Sequence, residues 1–293
     1  MQLKKSQRQN QKIKMAIQGA SGFGKTFSAL QLAYGITNDW SKIAVIDSEN
    51  GSSNLYSHLG QYKVLELENP HTPENYVQAI EICEKSEEVE VIILDSISHC
   101  WEYLLDYHAN LSGNSFQNWS KVTPRLKLFI DKILSSKCHV IATMRTKSEY
   151  VVNLKDGKHV PEKLGMKQNF RDGIEFEFTV VLDLDLKNHA SASKDRTQLF
   201  FGKPPFKITP ETGKLIKEWC ESGVTIEEIK KEIQATKNVD ELNEIYKRYS
   251  YLYTHLQADF VTRKAELNSS NKAVIDSELV NPQNFSTNGT TTL

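Results

Sequence analysis

The stretch QGASGFGKTFSAL, Gln18 to Leu30, decides how the rest of the chain is read. Inside it, Gly19-Ala20-Ser21-Gly22-Phe23-Gly24-Lys25-Thr26 fits G-x-x-x-x-G-K-[ST] at every fixed position. An apolar run, IKMAIQ (13–18), precedes it and a helix-forming run, FSALQLAYG, follows, so the glycines fall at a strand-to-helix turn. Such glycines let the backbone curl until its N–H groups converge, and the helix start adds its dipole. The group that suits this cradle is a phosphate. Gly19, Ala20, Ser21, Gly22, Phe23, Gly24, Lys25, Thr26 and Phe27 are the expected nucleotide-binding residues. Lys25 is expected at the β/γ-phosphates and the Thr26 hydroxyl on Mg2+. The competing reading is a glycine-rich turn with an incidental Lys-Thr.

A metal beside phosphate calls for an acid. VEVIILDSIS (89–98) supplies Asp95 at the end of a strongly apolar strand, a Walker-B position. Alone, such an Asp can equally cap the following turn. Ser96 follows it, not Glu, so the group that orients water is sought elsewhere. Glu49, in IAVIDSENGS just past the second strand, is the candidate, because ligands of parallel sheets gather outside the strand C-termini. Glu102 is held in reserve.

The remaining chain is consistent with an α/β fold. Of 293 residues, 39% are hydrophobic and 25% charged, with a net charge of −1, which favours neither nucleic acid nor membrane globally. Cys83, Cys100, Cys138 and Cys220 are scattered, with no zinc or disulfide spacing. No signal peptide or membrane-length apolar run is present in these residues, so an intracellular, soluble protein without a membrane partner is expected.

Residues 1–12 read as a basic arm, with Lys4, Lys5, Arg8 and Lys12, and Lys14 continuing the run. Strands are expected at 13–18, 42–47, 62–67, 89–95 and 138–144, with helices at 25–35, 73–86 and 117–136. This alternation predicts a mostly parallel sheet covered by helices. SEYVVNLKDGKHVPE reads as a hairpin about Asp156-Gly157. IEFEFTVVLDLDLK (174–187) reads as one long strand, and RTQLFF (196–201) and PFKI (205–208) as shorter ones. The core domain is taken as 13–220. A helical extension follows over 221–267, opened by a Thr225/Glu228 capping box. The Asn/Ser/Thr-rich 268–293 is expected to be disordered.

GASGFGKT, VIDSEN, VIILDSIS and VIATMR, in that order, resemble the RecA-like ATPase core. NWSKVTPR, ATMRTKSEYV, RDGIEFEF and ASKDRTQLF are similar to patterns of the AAA-domain nucleotide-binding proteins of phages and prophages. The likeness spans roughly 10–220. It implies ATP with Mg2+, Glu49 as catalytic carboxylate, ring or filament homo-oligomers, and a role in recombination or replication in the cytoplasm, of a bacterial host if phage-encoded. The chain departs from RecA where that protein has Asn-Gln; here Thr143 and Met144 stand, leaving Thr143 or Arg145 as substitutes for γ-phosphate sensing. RecA's long glycine-rich DNA-binding loop is also missing.

The resemblance further implies Lys194 and Arg196 as catalytic groups reaching a neighbouring subunit's γ-phosphate. Two apart near a strand start, they would project together; the other reading is a charged, solvated edge. From Arg145 to Arg171 there are seven basic residues (Arg145, Lys147, Lys155, Lys158, Lys163, Lys167, Arg171) against three acids, with Tyr150, His159 and Phe170 interleaved. With the N-terminal arm, this segment suits single-stranded DNA, or is simply a solvated hairpin. Trp101, Leu104, Leu105 and His108 are expected to share a packing face. The functional expectation is ATP hydrolysis coupled to single-stranded DNA. The alternative is a nucleotide-dependent assembly switch with negligible hydrolysis.

Overall fold

The computed structural model describes residues 11–155, 158–221, 223, 226–249 and 253–279, by backbone alone at 148–155, 158–167, 253–255 and 270–279. Two compact units meet in sequence between Gly223 and Val224.

The first unit opens with β1 (Lys14–Gly19), then α1 (Lys25–Thr37), β2 (Ile43–Asp47), β3 (Lys63–Glu66), α2 (Pro73–Lys85) and β4 (Val91–Asp95). It continues with α3 (Ser98–Ala109), α4 (Ser115–Ser135), β5 (His139–Lys155), β6 (Lys158–Gln168), β7 (Val180–Leu184), β8 (His189–Asp195), β9 (Phe206–Lys207) and α5 (Pro210–Glu221). The strand order is β3-β2-β4-β5-β1-β7-β8-β9. All pairings from β3 to β7 are parallel; β8 and β9 add antiparallel. β1, β2 and β4 are buried nearly throughout, as expected of a sheet whose two faces carry helices. Ile92, Leu94, Phe129 and Tyr76 join one continuous core between the sheet and α2–α4. The four cysteines are buried, and none is in a disulfide.

On the other side, α1 packs on α5 through two glycines. A Cβ on Gly35 would lie 1.9 Å from the Pro210 carbonyl oxygen, and one on Gly213 would lie 2.2 Å from the Leu32 carbonyl oxygen. Beyond Arg145, β5 leaves the sheet and forms a ribbon with β6. Lys147 stands opposite Lys167 in that ladder, and Lys155 opposite Lys158. The predicted turn at Asp156-Gly157 lies outside the described residues.

The chain departs from the expected strands after residue 170. Residues 174–187 are not one strand: Ile174–Phe176 is a 3-10 turn, and only Val180–Leu184 is extended. Gly173, at φ 91°, turns the chain so that Ile174 and Phe178 bury while Phe176 stays 67% exposed. Residues 196–201 are not a strand either. The Asp195 carboxylate accepts from the N–H groups of Thr197 and Phe200, both at 2.7 Å, and of Phe201 at 3.1 Å, curling them into a loop. The strand lies before it, in β8. Lys14 does not extend the basic arm. It is buried in β1, where its Nζ donates to the carbonyls of Ser136 (2.7 Å) and Cys138 (2.5 Å). Burial lowers its pKa to about 8.

The second unit holds α6 (Ile226–Ala235), α7 (Val239–Arg248) and α8 (Tyr253–Leu279). Ile229, Ile233, Leu242, Leu256 and Phe260 are among its buried residues, and Arg263 donates to the Thr236 carbonyl at 2.5 Å. Thr225 of the predicted capping box lies outside the described residues. α8 runs past Asn268, where an irregular tail was expected to begin, to Leu279. No described helix is long and apolar enough to cross a membrane.

Candidate nucleotide site

The phosphate-loop geometry follows from its glycines. Gly22 and Gly24 both take left-handed backbone, φ 82° and 78°, conformations that side chains resist. Gly24 caps α1, and Ser28 N donates to its carbonyl at 2.9 Å. Lys25, 9% exposed, turns its Nζ back onto the Ala20 carbonyl at 3.0 Å, which keeps the ammonium over the loop. Burial lowers the Lys25 pKa, while the carboxylates of Asp95 and Glu49 act in the opposite sense. Phe27 is 41% exposed and sits 6.0 Å from the Tyr56 ring. Gly19 is buried at the end of β1, and Ala20, Ser21 and Phe23 complete the turn at the surface or near it.

Asp95 meets Thr26 although β5 separates their strands. The Thr26 hydroxyl donates to Asp95 Oδ2 at 2.6 Å, and the hydroxyl of Thr143, on the intervening strand, donates to Oδ1 at 2.5 Å. Asp95 is 1% exposed; burial pushes its pKa up, against the two hydroxyl bonds. A hard cation such as Mg2+ takes oxygen donors and keeps other positions for water and substrate phosphate. The Thr26 hydroxyl and the Asp95 carboxylate, juxtaposed at the loop, supply oxygens that fit that demand. Among the described residues no cluster of three His, Cys, Asp or Glu side chains that could hold a metal ion is found. Thr143 is fully buried and committed to Asp95, so it is not the free γ-phosphate sensor offered above.

Glu49 is placed by its neighbours. Asp47 ends β2 and accepts from Glu49 N (2.7 Å), Ser53 N (2.8 Å) and the Ser53 hydroxyl (2.6 Å), pinning the loop. Ser48 lies beside it, its hydroxyl 3.0 Å from the Ser96 carbonyl and 2.9 Å from His99 Nδ1. The Glu49 carboxylate itself takes two bonds from Arg145: Nε to Oε1 at 2.9 Å and Nη2 to Oε2 at 2.5 Å. Burial raises the Glu49 pKa, but the bonds and charge of Arg145, with His99 and Lys25 behind them, bring it below the usual range. Glu102 is instead held by Asn169, whose amide donates at 2.7 Å. Glu49, not Glu102, is the carboxylate electrostatically coupled to Lys25 and Asp95.

Lys194 and Arg196 stand at the end of β8, not at a strand start. They do converge: Lys194 Nζ donates to the carbonyls of Glu175 and Phe176, and Arg196 reaches the Phe176 carbonyl at 3.4 Å. Of the basic segment, Lys147 and Arg171 are exposed and Arg145 is half-buried. Phe170 is 4% exposed and stacks on Trp101 at 5.7 Å, so it is a core residue and not a free stacking platform. The side chains of Tyr150, Lys155, Lys158, His159, Lys163 and Lys167 lie outside the described residues, as do Lys4, Lys5 and Arg8. On α3, Trp101 and Leu104 are buried as expected, Leu105 is 38% exposed, and His108 stacks on Trp119 at 4.2 Å.

Sequence reasoning missed Asn188. In the β7–β8 turn, at φ 59°, it packs so closely on the loop that a Cβ on Gly24 would lie 2.7 Å from its Nδ2. An Asp-x-x-Asn turn signal (Asp185–Asn188) was available, but nothing local marks a contact with residues so distant in sequence. It also missed the ion pair between Glu49 and Arg145, for the same reason.

No curated protein matches the chain at a significant level. Among solved structures, a KaiC-like protein from the hyperthermophilic archaeon Pyrococcus horikoshii OT3 aligns over 68% of this chain and 86% of its own, at 19% identity and a TM-score of 0.39. A family model described as an AAA domain matches residues 11–252, and the chain belongs to this AAA-domain family of P-loop proteins.

Proposed function

We propose that the protein binds ATP with Mg2+ and hydrolyses it. The observation that carries the reading is the meeting of Thr26 and Asp95 beside a glycine-rich strand-to-helix loop, with Glu49 close enough to shift the charge balance of both Lys25 and Asp95. Mg2+, held by Thr26 and Asp95, supplies charge neutralisation at the phosphates. The loop amides and Lys25 orient the triphosphate. Glu49 orients a water and takes its proton as the γ-phosphate is attacked. Lys194 and Arg196 are read as groups that complete a neighbouring copy's site in a homo-oligomer.

Coupling to single-stranded DNA, of the kind used in phage recombination or replication, is the second part of this reading. Its support is the ribbon register. Like charges directly opposite in a ladder destabilise it, and pairs such as Lys147–Lys167 and Lys155–Lys158 find relief on a polyanion. The occupation of Glu49 by Arg145 favours a second reading, a nucleotide-driven assembly switch with negligible turnover.

The experiment is an ATPase assay on wild type and Glu49→Gln, with and without an oligo-dT strand, beside a native mass measurement. Turnover that needs Glu49 and rises with the strand supports the motor reading. Tight ATP binding without turnover in either protein supports the switch.

A further inference from the structure

The carboxylate read as the base already has a partner. A carboxylate bound bidentately by a guanidinium spends a lone pair of each oxygen on that partner, and the positive charge weakens its pull on a further proton. Glu49 is held this way by Arg145. The backbone of Arg145 is fixed: its N–H donates to Ser98 Oγ at 2.9 Å, and its carbonyl accepts from Asn169 N at 2.6 Å. Its side chain is 38% exposed, against 21% for Glu49, so an outside anion reaches the guanidinium without unfolding anything. Its position is also particular. Gly19 and Arg145 are partners at the end of the β1–β5 ladder, which puts Arg145 next to the phosphate loop. The next residue, Thr146, begins the ribbon that carries the lysine pairs.

We propose that Arg145 is a positioning residue that withholds Glu49 from water until a phosphate oxyanion takes the guanidinium. Two phosphates are within the logic of the site: the γ-phosphate of the bound nucleotide, and a phosphodiester of a strand lying on the β5–β6 ribbon. Either frees the carboxylate to face water, so the ion pair makes hydrolysis conditional. The inference rests on the reading of Glu49 as the base. It also reconciles the Glu49–Arg145 ion pair with turnover.

Two measurements on the full chain decide it. The first follows the Arg145 Nε–H signal by 15N NMR, assigned with Arg145→Lys, on adding a non-hydrolysable ATP analogue alone, oligo-dT alone, or both. Movement with the analogue alone assigns the trigger to the nucleotide; movement that needs oligo-dT assigns it to nucleic acid. No movement under any condition overturns the proposal. The second measures kcat and KM for ATP against pH in wild type, Arg145→Ala, Arg145→Lys and Glu49→Gln. Arg145→Ala is expected to raise trigger-free kcat by about tenfold or more, within the ~10²–10⁴-fold a positioned base supplies. Its acidic limb is expected at higher pH, since Glu49 then feels only burial, His99, Lys25 and Asp95. Arg145→Lys should restore part of the restraint. An Arg145→Ala enzyme no faster than wild type, with an unmoved acidic limb, overturns the latch. Turnover retained by Glu49→Gln removes the base reading and the latch together; an inactive Glu49→Gln with an unmoved Arg145 signal removes the latch alone.

Discussion

Thr26 and Asp95 touch across an intervening strand, hydroxyl to carboxylate at 2.6 Å, and the carboxylate is pushed toward neutrality by its burial. Replacing Asp95 by Asn removes the negative charge the metal needs but also the charge that burial penalises. Asp95→Asn is therefore expected to lower Mg2+-dependent turnover about 10²-fold or more without lowering the melting temperature of nucleotide-free protein. A melting temperature that falls with activity would make Asp95 a structural residue first.

The loop offers a comparison of two glycines with similar backbone. Gly22→Ala meets open space and carries only the left-handed penalty, about 1–2 kcal/mol. Gly24→Ala carries that penalty and a clash with Asn188, so nucleotide affinity should fall further. Adding Asn188→Ala to Gly24→Ala should bring its affinity back to that of Gly22→Ala. Calorimetric titration with an ATP analogue reads the difference.

Gly35 and Gly213 let α1 and α5 approach to backbone contact. Gly35→Ala, with its new atom 1.9 Å from the Pro210 carbonyl oxygen, is expected to destabilise the first unit by about 3 kcal/mol or more. The urea midpoint of that unit is the measurement. A shift below about 1 kcal/mol would mean that the helices part easily.

His139 is 6% exposed, accepts from Ile13 N at Nδ1, and is brought by burial to a pKa of about 3. Folded His139 is neutral where the unfolded chain, titrating near 6.5, already binds a proton. Stability is thus fully present above pH 6.5 and is lost as pH falls from there toward 3. His139→Asn keeps an acceptor for Ile13 and should flatten the fall in melting temperature between pH 6.5 and 4.5. An identical fall in both proteins would place the acid sensitivity elsewhere.

If Lys194 and Arg196 serve a neighbour, defective subunits should rescue one another. Arg196→Ala is expected to abolish hydrolysis and spare nucleotide binding. Mixing it with Lys25→Ala, which keeps the arginine but loses its own loop, should restore turnover. Mixtures as inactive as their components would end the in-trans assignment.

The elements legible in the sequence were those whose reason is local. An unbroken apolar run such as VIILD forms a buried parallel strand wherever helices cover both faces, and G-x-x-x-x-G-K-T bends in one way. The 174–187 region misled because I-E-F-E-F alternates with period two, yet Ile174 and Phe178 are also four apart, and that spacing is the one the core uses. β8 was missed because His189–Asp195 is built from small and polar residues with little β-propensity; pairing with β7 makes it a strand. Glu49 was found by strand order, and its partner was not. Arg145 lies 96 residues away on β5, and no local pattern announces an ion pair between a loop and a distant strand.

The position of β1 also constrains synthesis. β1 precedes every other described strand yet belongs between β5 and β7, and Val180, a β7 partner of Met15, is translated 165 residues after it. At the usual pace of translation the wait is on the order of ten seconds. Until Ile141, its β5 partner 126 residues on, has been made, the apolar Met15–Ile17 segment has neither neighbour. The nascent chain thus carries an unpaired apolar strand for most of that wait, a natural client for a chaperone that binds short hydrophobic segments. Its phosphate loop leaves a strand flanked on both sides only once β7 has been made.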